Sequence, residues 1–182
     1  MAGAVLLAAA LLVGCGGSGD AGEDGTAQGQ ERIYPNVTGP TREFLVPDGD
    51  NIVQFYGREA TPVEREEASR LLHGWLRARE NENWPKDCSY FHRWYRESLV
   101  KDAHGVTSGK VKNCPQALAY FGHEASGDYV DNLPGPIVSL RVRGGQGYAQ
   151  YHGTDGRDWI VPMNKEDGKW KVANATPIDR LK

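Results

Sequence analysis

Apolar positions in the middle of this chain recur with the period of a helix, and those of the last third with the period of a strand. Ala68, Leu71, Leu72, Trp75 and Leu76 stand at i, i+3, i+4, i+7 and i+8, one stripe that faces a core. Thr61, Pro62 and Glu64 supply its start, with Thr as cap, Pro in the first turn and Glu three residues on, as a capping box requires. Asn81, Asn83 and Pro85 end it. A second helix is predicted from Asp87 or Cys88 to Val100, with Phe91, Trp94, Tyr95 and Leu99 as its buried side, and a short third from Pro115 to Gly122. Residues 101–113 between them read as a loop.

From Val138 the period falls to two. Val138, Leu140 and Val142 alternate with Ser139, Arg141 and Arg143, which predicts a half-buried strand with one solvated face. Gly144 and Gly145 turn the chain into a second strand, Gln146 to His152, and Gly153, Thr154, Asp155 and Gly156 turn it again. Arg157 to Asn164 is the third strand, Glu166, Asp167 and Gly168 form a hairpin turn, and Trp170 to Ala175 is the last. Pro162 cannot donate to a ladder, so it marks a bulge or an edge. Helices followed by an antiparallel meander make an α+β domain, with the sheet curling over the helices.

The first residues change the picture of where this domain resides. Ala4 to Val13 carries no charge and falls short of the roughly 20 apolar residues that span a bilayer, so it reads as the apolar core of a secretory leader. It closes in Leu12, Val13, Gly14 and Cys15, a bacterial lipobox, although residues 2–14 lack the Lys or Arg usual in such leaders. The expectation is a lipoprotein: residues 1–14 are a signal peptide, and Cys15 becomes the acylated first residue of the mature chain, a palmitate-type anchor on the extracytoplasmic face of the cell membrane. An ordinary signal peptide cut elsewhere is the alternative. Residues 15–50 are a Gly-rich acidic tether, predicted to be disordered because they offer little apolar surface to offset ordering. Seven acids there against Arg32 and Arg42 give −5, and because the whole chain carries −3, the rest carries +2. Neither segment is basic enough for nucleic acid. Residues 51–182 then form one domain.

Several features together resemble the nuclear transport factor 2-like superfamily. They are the long first helix, the stretch Asn83 to Asp87, a cysteine opening the second helix and another before Pro115, and the terminal hairpin Asp167-Gly168-Lys169-Trp170-Lys171-Val172. Phe55-Tyr56-Gly57-Arg58-Glu59-Ala60, leading into the first helix, is similar to lipid-anchored actinobacterial members. The likeness spans about residues 51–177. It implies a cone-like fold, with N-terminal helices packed in a curved antiparallel sheet and often a cavity open at one end. The superfamily includes isomerases, dehydratases, epoxide hydrolases and polyketide cyclases, which work by acid–base chemistry of Asp, His and Tyr inside the cone.

With Cys15 acylated, Cys88 and Cys114 are the two thiols left in an oxidising compartment, and they are expected to pair. Closing that loop is worth about 3 to 4 kcal/mol in the chain-entropy account. The rival is a zinc site of Cys88, His92 and Cys114 with His104 or His123, but the chain has no CxxC pair, and no metal or cofactor is expected. Tyr148, Gln150 and His152 share a strand face that Asp158 could approach, making His152 and Asp158 the weak catalytic candidates, unless Ala149 and Tyr151 are the inward pair. His73, His92, His104 and His123 have no acidic or serine partner at a telling spacing, and no phosphate-binding or dinucleotide motif is present. Trp75, Trp84, Trp94, Trp159 and Trp170 with Tyr90 and Tyr95 read as core and rim, and an exposed aromatic patch would instead mark a binding groove. The reading is a non-catalytic module for a small apolar ligand or an envelope partner. An acid–base enzyme of the same superfamily and a structural homodimerising module are the alternatives.

Overall fold

The computed structural model describes residues 37–47, 49–129, 136–154, 156–174 and 178–179, so Cys15 and most of the tether lie outside the described residues. Helix α1 runs Pro62–Glu80, and its start is a capping box. Thr61 Oγ1 accepts from Glu64 N at 3.3 Å, and Glu64 Oε2 accepts from Thr61 N at 2.9 Å. The apolar stripe is buried at Ala68, Leu72, Trp75 and Leu76.

The second predicted helix is two. α2 is Trp84–Tyr90, with Asn83 Oδ1 accepting from Lys86 N, and α3 is Arg93–Val106. The break has a tertiary cause: Phe91 pairs with Val172 in a parallel bridge, and His92 N donates to Val172 O at 2.9 Å, which pulls two residues out of the helix to lie along a strand edge. Phe91 is fully buried there, whereas Trp94, expected on the buried side, is 47% exposed. α3 continues to Val106, so the loop expected over residues 101–113 begins only at Thr107. α4 spans Cys114–Tyr129 and passes the stop expected at Gly122.

The sheet adds two short strands to the four expected. β1 is Arg58–Glu59, β2 Ser139–Arg143, β3 Gln146–His152, β4 Asp158–Glu166, β5 Lys169–Val172 and β6 Ile178–Asp179. β1 to β5 pair in that order, antiparallel throughout, and β6 pairs with β4 beyond β5. The β4–β5 link is a two-residue turn in which Asp167 and Gly168 both have positive φ, 52° and 76°, as the tight hairpin twist demands. Pro162 sits where β4 changes outer partner: its carbonyl accepts from Ala173 N at 2.9 Å, and its missing N–H falls between the end of β5 and the start of β6. It is thus a local edge within a central strand.

One face of the sheet meets the helices. Leu140, Val142, Ala149, Tyr151, Val161, Met163 and Val172 pack there with Leu72, Trp75 and Phe91 in the main core. The other face, expected to be solvated, is covered as well. Described residues ahead of 51, expected in the disordered tether, form this cover: a 3-10 helix, Gly39–Phe44, lays Thr41 and Phe44 fully buried against the sheet. Ser139 and Arg141 are consequently buried, and only Arg143 of the three alternating polar residues is exposed. Gly57 at φ 52° is required at this closure, because a Cβ would fall 2.0 Å from Val142 O.

Candidate functional site

Glu166 fixes the start of α3 to the sheet. Its Oε2 accepts from Arg93 N at 2.6 Å and its Oε1 from Arg96 Nη2 at 3.2 Å. The backbone N–H of Arg93 first, then the nearby Arg96 guanidinium and Lys171 ammonium, hold this carboxyl below the usual carboxylate range. A carboxylate at a helix N-terminus also complements the helix dipole.

With the first turn so held, Trp94, Tyr95 and Ser98 project over β3 and β4. Together with Tyr148, Pro162 and Met163 they line a groove of about 380 Å³, completed by the amides of Gln146, Asn164 and Asn174. With the Asn164 amide oriented to satisfy both ends, its oxygen accepts from Trp94 Nε1 at 3.1 Å and its nitrogen donates to Met163 O at 2.8 Å. The Trp94 and Tyr95 rings meet edge to face at 5.8 Å, and Tyr148 meets Tyr56 likewise at 4.9 Å. Tyr56 OH donates to Gln146 Oε1 at 2.8 Å, and the Arg143 guanidinium covers the Tyr56 ring at 4.6 Å. The walls are therefore aromatic and pre-positioned, and the polar groups are amides and hydroxyls. Among the described residues, no carboxylate, imidazole or amine lines the groove. Such a mix of apolar walls and a few convergent hydrogen-bonding groups is the usual make-up of a small-molecule site.

His152 and Asp158 are brought together, but elsewhere. His152 Nδ1 lies 2.8 Å from Asp158 Oδ1, and Nε2 lies 3.6 Å from Glu43 Oε2. The pair sits on the sheet face opposite the helix core, half-exposed, with the Phe44 ring stacked on the imidazole at 4.9 Å. Ala149 and Tyr151 are the residues that point into the core. Gln150 is fully buried on the outer face and donates to Ser139 Oγ at 3.4 Å.

Cys88 and Cys114 are joined by a disulfide with Cα atoms 6.0 Å apart, which ties α2 to the start of α4 and leaves no thiolate for a metal. His92 is not on the helix of Cys88; its Nδ1 accepts from Trp94 N as the cap of α3. His104 Nδ1 is 3.1 Å from Val111 O, and the His123 side chain lies outside the described residues. Among the described residues no three His, Cys, Asp or Glu side chains are grouped to hold a metal, and no helix is long and apolar enough to cross a membrane.

Sequence reasoning missed the most deeply buried ion pair. Arg79 Nε donates to Asp87 Oδ2 at 3.1 Å, both residues nearly inaccessible, with the guanidinium over the Trp75 and Phe91 rings at 5.0 and 5.7 Å. Burial raises the Asp87 carboxyl above its ordinary value, opposed by Arg79 and by the Trp75 indole. The only signal was the eight-residue spacing of two charges across the turn between α1 and α2. Compared with known proteins, the chain matches no family model, no curated protein and no solved structure.

Proposed function

We propose that this is an extracytoplasmic lipoprotein, anchored through Cys15, whose nuclear transport factor 2-like domain binds a small apolar ligand without chemistry of its own. The observation that carries the reading is the groove between α3 and the β3–β4 pair. Its Trp94, Tyr95, Tyr148 and Met163 walls suit an apolar or aromatic body, its amides suit one or two hydrogen-bonding substituents, and among the described residues its lining offers no carboxylate, imidazole or amine. The acid–base alternative rests on the 2.8 Å His152–Asp158 contact, which lies outside that groove and has Phe44 stacked over it. Support for the anchor comes from the Leu12-Val13-Gly14-Cys15 sequence and from the disulfide between the other two cysteines, a bond that persists outside the cytosol.

The ligand reading is tested by titrating the full chain with the apolar fluorophore N-phenyl-1-naphthylamine. Saturable enhancement is expected, weakened about tenfold or more in Trp94→Ala and in Tyr148→Ala, the loss typical of a central aromatic contact. Absence of saturation, or variants that bind like the parent, overturns it. The anchor is tested by Cys15→Ser, expected to move the protein from the membrane to the soluble fraction and to abolish palmitate labelling.

A further inference from the structure

A second groove lies on the far flank of the β4–β5 hairpin, and its chemistry is the opposite of the first. Three elements build it, in about 410 Å³: α1 contributes Arg70 and Leu71, α2 contributes Lys86 and Tyr90, and the hairpin contributes Lys169 and Lys171. Arg70 with Glu67, and Lys86 with Tyr90, stand at helical spacings of three and four, so each helix turns one continuous face to the same space. Four cations line the groove against one carboxylate, Glu67, in a chain whose overall charge is −3. Convergence of three separate elements on one sign of charge is costly in self-repulsion unless an anion occupies the space.

The groove is also shaped. Gly74 of α1 lets α2 approach, since a Cβ there would stand 2.5 Å from Tyr90 OH. The Tyr90 ring thereby becomes a wall, with the Lys86 ammonium over it at 5.2 Å. Lys171 Nζ is drawn in by Ser89 O at 2.7 Å. Arg70 bonds Glu66 at 2.6 Å, but both side chains are about two-thirds exposed, so that pair is weak and exchangeable for a ligand oxyanion. Among the described residues, Lys86, Lys169 and Lys171 make no ion pair with a carboxylate.

We propose that this groove binds a phosphate monoester. A doubly charged tetrahedral group can be contacted from several sides by three ammonium groups and, in bidentate fashion, by Arg70. The space exceeds one phosphate, which leaves Leu71 and Tyr90 to hold the organic portion. Glycerol 3-phosphate and the headgroup of phosphatidic acid share this chemistry, one free and one in a membrane.

The experiment uses the full chain carrying Cys15→Ser, so that no acyl anchor contributes. Amide resonances are followed by NMR during titration with glycerol 3-phosphate, and co-sedimentation is measured with phosphatidylcholine vesicles with and without phosphatidic acid. Saturable shifts confined to residues such as Ser89, Tyr90, Gly168 and Lys169 are expected, and the exposed-residue variants Lys86→Gln and Lys169→Gln each weaken binding about tenfold, the worth of one charge-assisted hydrogen bond. Shifts with the soluble ester alone support the site with a free ligand, and sedimentation that needs phosphatidic acid and is lost in the same variants supports it with a headgroup. No saturable response in either arm, or binding unchanged in both variants while their spectra remain those of the folded chain, overturns the proposal.

Discussion

Ser139 and Leu140 are neighbours in β2, both fully buried, and they lie in unlike surroundings. Leu140 enters the apolar core with Leu72, Tyr151 and Val172. Ser139 enters a hydrogen-bonded cluster: its hydroxyl is 2.7 Å from both Thr41 Oγ1 and Glu59 Oε2, Thr41 also donates to Glu59, and Glu59 accepts from Leu140 N at 3.0 Å and pairs with Arg65 at 3.3 Å. One face of the sheet is thus closed by non-directional burial, the other by directed bonds from the segment that precedes β1. The first tolerates exchange of apolar side chains of similar volume; in the second, removing a single partner leaves the others unsatisfied. Each face contains a carboxylate. Asp87, among the helices on the apolar side, is fully buried, while Glu59 keeps a fifth of its side chain exposed.

The largest effect should come from the buried Arg79–Asp87 ion pair on the apolar side. Asp87→Asn removes the carboxylate that faces the buried Arg79 guanidinium between Trp75 and Phe91, and should cost about 3–5 kcal/mol in urea or thermal unfolding. Replacing both partners with apolar residues, Arg79→Met with Asp87→Leu, should recover most of that loss, because the pair's own net contribution is small. A double variant as unstable as the single one would mean the pair specifies the α1–α2 packing itself.

Phe44→Ala and Leu140→Ala compare the two faces directly, since both residues are fully buried. If the segment around Gly39–Phe44 is an integral layer, Phe44→Ala should cost about 3–5 kcal/mol, no less than the 2–5 kcal/mol for Leu140→Ala. An unfolding midpoint unmoved by Phe44→Ala would return this segment to the tether. Ser139→Ala should cost less, about 1–3 kcal/mol, by leaving Thr41, Glu59 and Gln150 each short of a partner.

The helices and the four main strands were legible because their periods differ and their caps and turns are local: Thr61 with Glu64, and Asp167 with Gly168, act over a few residues. What was not legible depended on distant partners. The α2–α3 break exists because Val172 captures Phe91 and His92, some eighty positions away, and no helical period reports that. The covered outer face was hidden because Thr41 and Phe44 stand in a stretch rich in Gly, Pro and Asp, where two isolated buried residues make no repeat. Strand register, with Ala149, Tyr151 and Trp159 inward, puts His152 and Asp158 on this same outer face. The groove at Trp94 was half legible: the aromatics were counted, but their exposure followed from the break that turned α3.

Glu64 tests the rim where these two layers meet, with the smallest effect. It links the outer layer to α1, since Arg58 of β1 donates to both its oxygens at 2.9 and 3.0 Å while Thr61 N supplies the cap. Arg58 first, and then the Thr61 backbone, hold its carboxyl down at about 2. A depressed carboxyl binds fewer protons folded than unfolded, so its stabilisation is complete above the ordinary value near 4.5 and is lost as pH falls from there toward 2. Asp87, raised by burial, works the other way: the folded state holds its proton more readily, and stability gains as pH falls toward the ordinary value. Glu64→Gln should therefore cost about 1 kcal/mol at neutral pH, as a weakened cap does, and should flatten the acid side of the stability profile. Unfolding midpoints measured between pH 7 and pH 3 distinguish the two carboxyls. A variant whose deficit is the same at every pH would show that Glu64 acts through packing alone, and that its ion pair with Arg58 does not join the outer layer to the helix.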